Sequence, residues 1–196
     1  MGFTATDVLE FIKENDVKFI RLAFCDLFGQ QKNIAIMANK LPEAFERGVC
    51  VDISAVSGFM GADDADIFLV PDPDTLSILP WRPSHGGVVR LFCDMRRADG
   101  RPYAGDGRHL LRTAVEKAAK IGYTCQIGCE SEFYLFELDE QGAPTPRPQD
   151  EAGYCDMAPL DKGENVRREI CLALEDMGIQ EADTVRILGF EFDYLR

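Results

Sequence analysis

The stretch Lys18-Phe19-Ile20-Arg21-Leu22-Ala23-Phe24-Cys25-Asp26, followed by Gly29 and then by Lys32-Asn33-Ile34-Ala35-Ile36-Met37, decides the fold. Side chains alternate imperfectly across residues 18 to 26, but the length and aromatic content favour a strand. Gly29 has no Cβ and can turn the chain, so Lys32 to Met37 returns as a second strand antiparallel to the first.

Working outward, Val8, Phe11 and Ile12 recur at helical spacing after Thr6, which is placed as a cap, and predict a short opening helix. Leu41, Ala44 and Phe45 predict a second short helix ending near Gly48, a residue suited to a left-handed cap. Asp66 to Val70 and Gly87 to Cys93 read as further strands. The Pro71 to Pro83 turn region between them is too long for a tight hairpin. The result is a small mixed α/β domain ending around residues 97 to 105. Arg96 to Gly107 follows as a connector whose polar groups are easier to hydrate than to bury.

Beyond it, Leu110, Leu111, Ala114, Val115, Ala118 and Ala119 form a helical stripe from His109 to Lys120, with Gly122 placed to stop it. Tyr123 to Ile127 predicts a short strand. In the next strand, Glu130, Glu132 and Tyr134 oppose Ser131, Phe133 and Leu135. The prolines of Asp139 to Pro159 remove backbone donors and predict a long connection; Val166, Ile170 and Leu174 then mark a final long helix. Phe190, Phe192 and Tyr194 alternate with Glu191 and Asp193 as one amphipathic edge strand.

The balance of 21 Lys plus Arg against 34 Asp plus Glu gives a formal net charge of -13, which disfavours a phosphate backbone as partner, so no nucleic acid is expected. ATP is not excluded, because a metal ion reverses the field around converging carboxylates. No apolar stretch has membrane-spanning length, and Met1 to Asn15 lacks signal-peptide organisation, so the expectation is a cytoplasmic chain with no membrane partner. The cysteines Cys25, Cys50, Cys93, Cys125, Cys129, Cys155 and Cys171 show no compact paired spacing and are expected to be reduced thiols. Neither His85 nor His109 accompanies a cysteine cluster, so no structural zinc is expected.

The residues with most chemical content lie in Gly128-Cys129-Glu130-Ser131-Glu132-Phe133-Tyr134-Leu135-Phe136. In a strand, Glu130 and Glu132 project to one face, where their oxygens can approach one or two hard cations; the same pair also reads as a solvated strand face. Arg21 and Lys32 read as solvent-facing strand charges, Trp81 as a packing residue, His85 as a loop residue and His109 as a helix-start surface residue. Gly58 and Gly61 read as loop glycines, because no phosphate-binding loop follows them.

Taken in order, several segments carry a resemblance. The glutamate strand resembles the one that supplies two alternating metal ligands in glutamine synthetases, and Arg21 to Lys32 resembles that family's early hairpin. Asp64 to Asp72 resembles a family strand and turn. Cys93-Asp94-Met95 followed by Asp99-Gly100-Arg101-Pro102-Tyr103 resembles the passage from the small N-terminal domain into the catalytic domain. The chain thus resembles the N-terminal domain and the start of the catalytic domain of a bacterial-type glutamine synthetase, over approximately residues 7 to 180.

That resemblance implies an α/β fold of the α+β type, with a small β-grasp-like domain at 1–100, the beginning of a catalytic domain at 101–180 and an atypical segment at 181–196. It implies ATP-dependent ligation of glutamate and ammonia through γ-glutamyl phosphate, with Mg or Mn as cofactor and glutamate, ammonium and ATP as partners. Glu130 and Glu132 match the metal ligands. Asp52 matches the residue that binds ammonium, or promotes its deprotonation, across a subunit interface. Ile53 and Ala55 stand where the family has smaller or hydroxyl-bearing residues. After Gly178-Ile179-Gln180 the family pattern, which continues toward a His-His-Glu segment, is not followed. Independent turnover is therefore not expected of these residues alone. The alternative is a noncatalytic structural or regulatory module that assembles as a homo-oligomer or with a full-length synthetase.

Overall fold

A computed structural model describes residues 2–59, 66–80, 86–125, 130–177, 184–187 and 190–193. Gly61, Trp81, His85, Cys129 and Tyr194, as well as Asp64 and Ala65, lie outside the described residues. The chain divides into two compact units, Met1–Cys125 and Gln126–Arg196.

The first unit opens with helix α1 (Ala5–Glu14), and its cap is Thr4 rather than Thr6. The Thr4 hydroxyl accepts from the Asp7 N–H at 3.2 Å and the Asp7 carboxylate accepts from the Thr4 N–H at 2.7 Å, so two otherwise orphaned donors are satisfied reciprocally. Thr6 has no such partner three residues on and falls inside the helix. Strand β1 (Val17–Cys25) and strand β2 (Gln31–Met37) form the expected antiparallel hairpin, with Leu22 opposite Ile34. The turn is tied by Asp26, whose Oδ1 accepts from the N–H groups of Phe28 and Gln30, both at 2.9 Å, while Gly29 takes φ +77°.

Helix α2 (Leu41–Arg47) ends at Gly48, and strand β3 (Val49–Asp52) follows directly. Sequence periodicity did not predict β3. Its four residues are half-buried or exposed, so they carry little apolar signal of their own. Strand β4 (Asp66–Pro71), strand β5 (Ser77–Ile78) and strand β6 (Gly87–Arg96) complete the sheet, with β5 inside what reads from sequence as a turn region. The strand order is β2-β1-β6-β4-β3, with β5 pairing to β6. β6 lies parallel to β1 and antiparallel to β4 and β5. Parallel neighbours cannot be joined by a tight turn, and α2, β3, β4 and β5 all intervene between β1 and β6.

One sheet face makes the core with α1 and α2. Ile20 and Leu22 of β1, Leu69 of β4, Leu91 of β6, Val8 of α1 and Leu41 of α2 are all fully buried. Each such side chain stabilises the fold by about 1.5–3 kcal/mol relative to exposure. The 96–107 connector is not simply hydrated. Tyr103 packs its ring against Phe59 at 5.6 Å between centroids, and Asp106 is 2% exposed. Helix α3 (Gly107–Lys120) follows the predicted stripe and stops at Gly122, yet it contributes no buried residue.

In the second unit, strand β7 comprises only Glu130–Ser131, and residues 132–135 have no regular structure. One alternating strand from 130 to 135 is therefore not what forms. Tyr123–Cys125 likewise form no strand, while Gln126 and Ile127 of that expected element lie outside the described residues. The Asp139 to Pro159 region is not only a connection. Strand β8 (Phe136–Leu138) pairs with strand β9 (Pro144–Pro148) around a turn in which Asp139 Oδ1 accepts from the Gln141 and Ala143 N–H groups. A two-stranded ribbon has free edges, so proline's missing donors are tolerated there. Helix α4 (Glu164–Asp176) follows, with Arg167 ion-paired to Asp161. Strand β10 (Thr184–Ile187) joins β7 in parallel and strand β11 (Phe190–Asp193) in antiparallel fashion, which places Phe190 and Phe192 in a strand as their alternation predicts. Among the described residues no helix is long and apolar enough to cross a membrane.

Candidate functional site

Asp52 ends β3 and caps the following single helical turn. Its Oδ1 accepts from the Ser54 N–H at 2.9 Å and the Ser54 hydroxyl at 2.6 Å, and these two bonds hold its carboxyl below the ordinary carboxylate range. An exposed carboxylate so held is anionic at neutral pH. It suits electrostatic attraction of a cation better than proton uptake, which requires a pKa near the working pH. The β3–β4 register sets Asp66 opposite Asp52, a like-charged neighbour that sequence spacing could not reveal. Ile53 is buried in the core, so it cannot shape a solvent-facing pocket beside Asp52, whereas Ala55 is exposed.

Glu130 begins β7 with its backbone opposite Arg186 of β10, and Glu132 lies one residue beyond the end of β7, exposed. The strand that would align both carboxylates stops between them. Among the described residues no group of three or more His, Cys, Asp or Glu side chains converges to hold a metal ion. Asp52 and the two glutamates belong to separate compact units.

The remaining candidates have local roles. Arg21 donates to Asn33 Oδ1 at 2.9 Å, and Lys32 donates to Gln30 Oε1 at 2.7 Å and lies 3.6 Å from Asp26, so both are engaged along the hairpin. His109 sits in the first turn of α3 and Gly58 takes φ +90° in a loop. Cys25, Cys50, Cys93, Cys125, Cys155 and Cys171 are free thiols. Burial pushes the Cys93 thiol up to about 12, which makes it unreactive at neutral pH.

Sequence reasoning missed a charged constellation where α3 meets the sheet. Arg108 donates through Nε to Asp94 Oδ1 at 3.1 Å and through Nη2 to Asp72; Arg112 donates to Asp94 Oδ2 at 2.5 Å and Asp72 Oδ2 at 3.2 Å. The signal available was the spacing of Arg108 and Arg112, four apart and therefore on one helix face, directly after a capping aspartate.

Comparison with known proteins gives these elements a common frame. The glutamine synthetase β-grasp domain family matches residues 16–98, and the glutamine synthetase catalytic domain family matches residues 104–186, in that order. The chain belongs to the glutamine synthetase family. It is 47% identical over 178 residues to a glutamine synthetase of Clostridium saccharobutylicum and 49% identical over 177 residues to one of Methanosarcina mazei. These alignments take in 91% and 90% of this chain but 40% of each relative, so the chain spans about two-fifths of their length. A solved structure of GmaS without ligand superposes with a TM-score of 0.68 at 26% identity, covering 91% of this chain and 42% of that one. A Plasmodium falciparum glutamine synthetase shares the fold with a TM-score of 0.69 at 18% identity, covering 94% of this chain and 42% of the other. Within the glutamine synthetase frame, Asp72 and Asp94 fall in the β-grasp match, whereas Arg108 and Arg112 fall in the catalytic match.

Proposed function

We propose that these residues serve the ATP-dependent ligation of glutamate and ammonia to glutamine by way of γ-glutamyl phosphate. The observation that carries this reading is the ordered match to both glutamine synthetase domains, supported by 47–49% identity to glutamine synthetases. In this reading 1–100 is the β-grasp-like domain, 101–180 the beginning of the catalytic domain and 181–196 a segment of different character. Asp52, held ionised by Ser54, attracts ammonium from across a subunit interface. Glu130 and Glu132 are this chain's contribution to a Mg or Mn site that further ligands complete. An ion held there would supply positive charge to phosphate oxygens of ATP. The described residues do not make up such a site by themselves, and we expect turnover to need ligands and substrate contacts beyond these 196 residues.

The test is an assay of this purified chain with glutamate, ammonium, ATP and Mg or Mn, following glutamine and phosphate together, beside a direct titration of Mn. Weak Mn binding that is lost in Glu130→Ala and Glu132→Ala, without turnover, is the expected result. Sustained, stoichiometric formation of both products would overturn the statement that the chain is insufficient. Mn binding unchanged in both variants would remove the two glutamates from the site. Assembly with a full-length synthetase in the absence of turnover would favour the structural or regulatory reading.

A further inference from the structure

We infer that Asp72, Asp94, Arg108 and Arg112 form an electrostatic latch that makes α3, the first helix of the catalytic-domain match, a releasable part of the β-grasp unit. A surface helix is ordinarily held by a buried apolar stripe. Here α3 buries none of its residues, and Leu110, Leu111 and Val115 are 54%, 54% and 43% exposed. Its attachment to the first unit therefore falls to its polar contacts.

These contacts close a ring in which each arginine reaches both aspartates and each aspartate meets both arginines. Charges alternate around it, so like charges are kept apart by opposite ones. Both aspartates are fixed to the sheet. Asp94 lies in β6 opposite Val70, and the Asp72 N–H donates to the Phe92 carbonyl at 2.8 Å. The Arg108 guanidinium also lies 5.9 Å from the Phe92 ring centroid, which adds a cation–π contact. Partial burial of the carboxylates limits screening by water, so the ring holds more than an isolated surface pair. Asp106 adds a main-chain pin at the helix start, but it acts only on the first turn.

At 14 residues, α3 is at best marginally stable as a helix in water by itself. Release therefore shows as lost amide protection over residues 107–120 while the sheet stays protected. Hydrogen exchange of the full chain reads this directly, for the unmodified protein and for the Arg108→Gln/Arg112→Gln variant. Raising NaCl from about 0.05 M to about 1 M shortens the screening length to roughly 3 Å and weakens the latch. The expected result is exchange in α3 that is faster by about tenfold or more in the double variant, with β1 and β6 unchanged. Salt accelerates α3 exchange in the unmodified chain and has little further effect in the variant. Protection of α3 that responds to neither salt nor substitution overturns the inference. Loss of α3 protection only together with β1 and β6, or an α3 already unprotected at low salt, overturns it as well. If the double variant does not fold, the salt series on the unmodified chain decides alone.

Discussion

Asp106 Oδ2 accepts the main-chain N–H of Met95 at 3.0 Å, while its Oδ1 caps α3 by accepting the N–H of Arg108 at 3.0 Å. One buried carboxylate thus ties the end of β6 to the start of α3. Burial pushes its pKa up, against the two main-chain donors that favour the charged form.

Replacing this side chain separates the two bonds. Asp106→Ala leaves the N–H of the buried Met95 without its acceptor and removes the cap, and should cost about 1–3 kcal/mol. Asp106→Asn keeps one acceptor oxygen and should lose less. Urea unfolding midpoints measure both, and equal losses would show that hydrogen bonding to Met95 and Arg108 is not what stabilises the junction.

Acid stability follows from the lowered carboxylates. Burial alone would raise the Asp94 carboxyl, but hydrogen bonds from Arg112 and Arg108 hold it below its ordinary 3.8. Burial likewise opposes, and the Gln30 and Phe28 N–H groups with Lys32 outweigh, at Asp26. A carboxyl lowered on folding stabilises the native state above its unfolded pKa, and that stability is lost as pH falls through the folded value. Asp106, which is raised, works in the opposite sense. Its contribution is present below the unfolded value and lost as pH rises through the folded one. Stability should therefore be level near neutrality and fall below about pH 4, with a shallower acid limb in Asp94→Asn and Asp26→Asn. Thermal midpoints across that range test this, and an identical acid limb in both variants would contradict it.

Gly48 ends α2 at φ +74°, and a Cβ there would lie 3.1 Å from the Leu69 carbonyl oxygen, Phe68 Cβ and Val70 Cγ2. Gly48→Ala combines left-handed strain with crowding against β4, so a loss of about 1–2 kcal/mol or more is expected. Calorimetry would reveal it as a lower midpoint. An unchanged midpoint would mean that the α2–β3 corner readily rearranges.

Much of the fold was legible in local pattern. The β1–β2 hairpin, α2 with its Gly48 stop, β4, β6, α3 and α4 all have apolar periodicity or terminators strong enough to be read without tertiary context. The elements missed are short or poor in apolar signal. β3 and β5 exist because β4 and β6 offer them partners, and β9 carries three prolines that local propensity counts against a strand. The glutamates show the same limit in the other direction. Alternation predicted a strand through Leu135, yet β7 pairs only at Glu130 and Ser131, where β10 provides a neighbour.

By itself the sequence determined the kind of chain this is: acidic, α/β, with an antiparallel hairpin behind a short opening helix, and carrying the ordered motifs that place it in the glutamine synthetase family. Residue order and side-chain type are enough for that, because periodicity and motif spacing are properties of the chain. Only the tertiary structure decided that β1 and β6 lie side by side in parallel, that Asp66 faces Asp52, and that Asp72 and Asp94 meet Arg108 and Arg112. Those relations join residues 14 or more positions apart, and the sheet that brings them together is set by the shared burial of one of its faces, which no local window contains.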